Sequence, residues 1–99
     1  MTNQLREDLI KARSLIDTPE KWMRREYHNA DFTCFCVFGA LDHVGGGQFM
    51  ASRAAVEAVS KALPPSFYDI VEYNDSLSTT HTDILALFDR AIANAGGSQ

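Results

Sequence analysis

What this sequence lacks narrows it first. Its two cysteines, Cys34 and Cys36, stand one residue apart, too close for a comfortable structural disulfide. The thiols are therefore expected to be reduced and the protein cytoplasmic. The Cys-x-x-Cys pair of a zinc knuckle is missing. No apolar run approaches the roughly 20 residues of a bilayer-spanning helix. Residues 1–16 are amphipathic and charged, unlike the apolar stretch of a secretory leader, so no membrane association is expected. Basic residues are not in excess: nine Lys and Arg against 13 Asp and Glu leave a formal net charge of −4, which argues against a nucleic-acid binder. The cluster Lys21, Arg24 and Arg25 is flanked by Glu20 and Glu26 and reads as a solvated face. There is no internal repeat, no low-complexity tract and no catalytic family signature, and no cofactor is expected.

What is present is a core. The chain of 99 residues with 45% hydrophobic side chains is one domain. Its most apolar stretch, Thr33 to Val44, holds both cysteines and organises the reading. Cys36 to Val44 is apolar nearly all round as a helix, which places it centrally. Gly39 costs about 1 kcal/mol against Ala inside a helix, so another element is expected to press on the backbone there. Gly45-Gly46-Gly47 ends the helix, since glycine accepts the left-handed cap conformation.

The flanking chain is mostly helical in pattern. Leu5, Leu9, Ala12 and Ile16 share one face of a first helix capped by Thr2 or Asn3. Pro19 suits the opening of another turn. Lys21 to His28 fits a strand or a short helix; a small hairpin pairing Trp22–Tyr27 with Phe32–Phe35 is the reading adopted. A helix is expected from Met50 to Leu63, ended by Pro64-Pro65. Ser66 with Asp69 resembles a capping pair for a short helix ending near Tyr73, with a strand as the alternative. Asn74-Asp75-Ser76 is expected to be a loop. Thr80 and Asp83 form a capping box for the last helix, His81 to Ala95, striped by Ile84, Leu87, Phe88, Ala91 and Ile92. The expected class is mainly α, with α+β possible: a small helical domain around a buried central helix, with one short β-hairpin.

Several short motifs together point to a family. Cys36-x-x-Gly39-Ala40, then Tyr73-Asn74-Asp75, then Thr80 ahead of a Leu-rich helix running through Asp89-Arg90-Ala91 resembles a group of short, uncharacterised bacterial and phage-encoded proteins of unknown function. Members carry an amphipathic first helix, a Trp, Cys-x-x-Gly-Ala, Trp-Asn-Asp and a closing helix ending Asp-Arg-Ala. The likeness runs from about Leu5 to Ala95, with Tyr73 where the group has Trp. It implies no activity, but directs attention to Trp22, Cys36, Gly39, Asn74, Asp75, Asp89 and Arg90.

Two functional readings follow. The first is a small interaction or regulatory module without chemistry of its own, engaging an unknown protein partner in an oligomeric state the sequence leaves open. Asn74, Asp75, Trp22 and Arg90 are its candidate ligand or partner contacts. The second is a small thiol enzyme. Cys36 at a helix start feels the positive end of the dipole, which lowers a thiol pKa. A base such as His43, His28 or His81 would serve it, oriented by Asn74. A zinc site from Cys34, Cys36, His28 and His43 has ligands of the right type, but Cys-x-Cys aligns both thiols only on extended chain, so no metal is assigned.

Overall fold

The computed structural model describes residues 3–47 and 51–96. Five α-helices appear among them: α1 (Gln4–Ser14), α2 (Val37–Val44), α3 (Arg53–Lys61), α4 (Ile70–Asp75) and α5 (His81–Gly96). A 3₁₀ turn, Pro19–Lys21, follows α1 with Pro at its first position, as its fixed φ allows.

Short polar side chains set the helix starts. Asn3 accepts from Arg6 N at 3.0 Å to open α1. Ser52 accepts from Ala55 N at α3, so that helix begins three residues later than its apolar pattern suggested; Met50 lies outside the described residues. Thr80 and Asp83 cap α5 reciprocally, Thr80 N donating to Asp83 Oδ2 at 2.9 Å and Asp83 N to Thr80 Oγ1 at 3.2 Å.

The core lies where these helices meet. α1 packs mainly on α5 and α2, and α3 packs on α5. Leu9, Ile16, Val37, Val59, Ile84, Leu87 and Phe88 are fully buried. Each such side chain contributes about 1.5–3 kcal/mol of burial. α2 touches α1, α3 and α4, which fits a central placement. It is not enclosed all round, however: Val37, Ala40 and Leu41 are buried while His43 faces solvent. At its end Gly45 remains right-handed, and the left-handed residues are Gly46 (φ 112°) and Gly47 (φ 81°).

Three local expectations are corrected. The hairpin does not form: the 22–35 segment makes only two isolated bridges, Trp22 with Phe35 and His28 with Phe35. Arg25 (φ 75°) and Phe32 (φ 57°) adopt left-handed backbone, which breaks any extended run. Asn74 and Asp75 are not a loop but the end of α4. That helix is capped by Asp69, which accepts from Glu72 N at 2.7 Å, while Glu72 reaches back to Tyr68 N. Ser66 takes no part in the cap.

Candidate functional site

Trp22, Cys36, Asn74 and Asp75 meet at one place. Asn74 is fully buried at the end of α4. Its Oδ1 accepts from Trp22 Nε1 at 2.7 Å and from Val37 N at 3.0 Å. Its Nδ2 donates to Met23 O and to Asp75 Oδ1, both at 3.0 Å. Every hydrogen-bonding position of the amide is thereby used. One side chain ties the 22–23 segment, the start of α2 and α4 together. The local Asx turn expected from sequence is replaced by contacts 37 to 52 residues apart along the chain.

Cys36 is the N-cap of α2, and its Sγ accepts from Gly39 N at 3.2 Å. Cys36 N donates to Tyr27 O at 3.1 Å. The same carbonyl lies against Gly39, where an added Cβ would fall 1.7 Å from Tyr27 O. The Cys-x-x-Gly spacing is thus explained by geometry. The cysteine caps the helix and fixes the Tyr27 carbonyl, and the glycine one turn later leaves room for it. Asp75 Oδ1 accepts from Arg25 N at 2.8 Å and so holds the left-handed turn at Arg25.

Beside this knot lies a hollow of about 310 Å³ lined by Arg25, Glu26, Tyr27, Cys36, Val71 and Asp75. Burial pushes the Cys36 thiol above its ordinary 9.0; the Gly39 and Phe38 N–H groups pull it down and the Asp75 carboxylate adds to the rise. The lowering expected from the helix start is outweighed. In water-poor surroundings the thiolate loses more solvation than a few backbone N–H groups return.

Among the described residues no histidine lines this hollow. His28 and His43 line a second one, of about 430 Å³, on the outer side of α2. His81 donates from Nε2 to Ile16 O at 2.7 Å and its ring lies 6.0 Å from that of Trp22. Cys34 Sγ donates to Glu20 O, a different direction from the Cys36 sulfur. Among the described residues no group of three or more His, Cys, Asp or Glu side chains could hold a metal ion.

The closing helix motif is also accounted for. Asp89 pairs with Arg13 of α1 at 2.8 Å, with the carboxylate largely exposed. Arg90 Nε donates to Ala62 O at 3.1 Å and so satisfies a carbonyl at the end of α3. Arg24 stacks over the Trp22 ring at 4.5 Å and donates to Thr79 O. Sequence reads Arg25 as part of a solvated basic face and places none of Arg25, Tyr27 and Val71 at a site. The only signal for them was Gly39, which announced a close approach without saying of what.

A family model described as a family of unknown function, DUF6197, matches residues 1–94, and the chain belongs to that family. No curated protein and no solved structure matches it.

Proposed function

We propose that this DUF6197 protein is a small interaction module that docks a partner protein through the face around α4. One observation carries the reading: Tyr68 (91% exposed) and Leu77 (80% exposed) bracket α4 in the chain, and the half-exposed Val71 lies between two hollows. Large apolar side chains so exposed suggest contact with another molecule. The second hollow of this face, about 530 Å³, is lined by Phe38, Val56, Ile70, Val71 and the acidic Asp69 and Glu72. Tyr27 and Phe38, one from each hollow, pack ring on ring at 5.6 Å and make the face continuous. Among the described lining residues, Glu26, Asp69, Glu72 and Asp75 against the single cation Arg25 favour a partner segment with apolar anchors flanked by Lys or Arg.

The family motifs support this reading indirectly. Asn74, Cys36 and Gly39 are occupied in building the scaffold that presents the face. Two reduced thiols suit a cytoplasmic protein, and the motifs suit one of bacterial or phage origin. No helix among the described residues is long and apolar enough to cross a membrane.

The test compares wild type with Val71→Glu and Tyr68→Glu in extracts of cells that naturally contain the protein, across a salt series. The expected result is a partner held by wild type, weakened by salt and lost in both variants while their thermal midpoints stay put. Identical retention in all three proteins overturns the reading. So does concentration-dependent self-association abolished by the same variants, which would make the partner a second copy.

A further inference from the structure

The hollow on the outer side of α2 shares Tyr27 with the α4 face, but its other described walls have a chemistry of their own. Four of its lining rings contact one another in a closed chain. His28 stacks on Phe32 at 4.2 Å between centroids, Phe32 lies 6.0 Å from His43, His43 lies 5.0 Å from Phe35, and Phe35 lies 6.5 Å from His28. Among the described lining residues Asp42 is the one carboxylate, and no Lys or Arg accompanies it. Its Oδ1 is shut off from solvent with no hydrogen-bond partner among the described residues. A shielded, unpaired carboxylate oxygen is unfavourable unless positive charge comes near.

A second observation concerns Phe32. Its backbone is left-handed (φ 57°) and its side chain is 52% exposed. Asn29 holds it there: Phe32 N donates to Asn29 O at 3.2 Å, while Asn29 Oδ1 accepts from Thr33 N at 2.8 Å and Cys34 N at 3.1 Å. A bulky residue fixed in a disfavoured conformation, with its ring half in water at the mouth of a hollow, is a costly arrangement. A ligand that covers the ring offsets it.

We propose that this hollow binds a quaternary ammonium group, with the rings of Phe32 and its neighbours around the cation and Asp42 as counter-charge. Aromatic faces attract cations through their quadrupole. A primary ammonium or a metal ion requires several oxygen acceptors around it, and among the described lining residues Asp42 supplies the one carboxylate and Tyr27 the one side-chain hydroxyl. A quaternary ammonium spreads its charge over methyl groups and requires no acceptor, so it can also feel the shielded Asp42 oxygen without touching it. A cavity of about 430 Å³ lies within the range of small-ligand sites. Choline and the trimethyllysine side chain share this chemistry.

The test is a titration followed by the aromatic NMR signals of Phe32 and His43. The probes are choline, trimethyllysine and dimethylbutanol, the neutral carbon isostere of choline. Saturable shifts with at least one ammonium probe and none with the isostere are expected, and the tighter of the two ammonium probes identifies the source. Asp42→Asn and Phe32→Ala should each weaken binding roughly 2- to 30-fold, with Trp22 fluorescence unchanged as the check on folding. Absence of saturation with both ammonium probes overturns the proposal, as does equal binding of the isostere or full affinity in the folded Asp42→Asn variant.

Discussion

Replacing Asn74 by Ala should remove more stability than any other single polar truncation in this chain. The amide serves two donors, Trp22 Nε1 and Val37 N, and one backbone acceptor, Met23 O. Val37 is fully buried and Trp22 is partly so, so water cannot fully replace the lost partner. An unsatisfied buried group costs about 1–3 kcal/mol. Counting Val37 N in full, discounting the half-exposed indole, and adding the void left by the amide gives about 3–5 kcal/mol. Total stability for a domain of this size is about 5–15 kcal/mol, so the variant would sit near the folding threshold. Urea unfolding followed by fluorescence of Trp22, the sole tryptophan, reads both the midpoint and the loss of the indole hydrogen bond. Asn74→Asp separates shape from hydrogen bonding. It keeps the acceptor but turns an oxygen toward Met23 O and the Asp75 carboxylate. The new carboxyl's folded pKa is then raised, so the variant's deficit is full above that pKa and shrinks as pH falls through it. A loss under about 1 kcal/mol for Asn74→Ala, or a pH-independent Asn74→Asp, would refute the hub role.

Three further outcomes follow from the same geometry. Gly39→Ala gains about 1 kcal/mol of helix propensity but drives a Cβ to 1.7 Å from the Tyr27 carbonyl; a net loss of about 1–3 kcal/mol or more in thermal unfolding is expected, and a more stable variant would show that the 25–28 segment yields freely. Thr80→Ala should cost about 0.5–2 kcal/mol through its cap, and Asp89→Ala, which breaks a largely exposed ion pair, under about 1 kcal/mol; the reverse order in chemical denaturation would contradict the assignment. In Cys34→Ser protein, alkylation of Cys36 should be slow near neutral pH and accelerate only above the ordinary thiol value of 9.0. Because the folded state holds this proton more tightly than the unfolded state, its contribution to stability is present below 9.0 and is lost as pH rises through the folded value. Alkylation at the rate of a free thiol at pH 7 would contradict the burial.

The sequence alone determined the helical frame. Local signals sufficed where one residue type does one job: the Leu5, Leu9, Ala12 and Ile16 stripe, the Thr80–Asp83 box and the stripe through α5 all appear in the structure. Gly39 announced a close contact because a missing Cβ is a local property. Only the tertiary structure decided what the motifs are for. Asn74 and Asp75 looked like loop chemistry because Asx residues usually bond to their neighbours, yet apart from the bond between the two their partners lie 37 to 52 residues away. The hairpin failed for the same reason: β propensity at 22–35 was overruled by Asn74 and Asp75, which claim Met23 O and Arg25 N. The sign of the Cys36 shift likewise depends on how much solvent the fold removes, which no spacing of residues encodes.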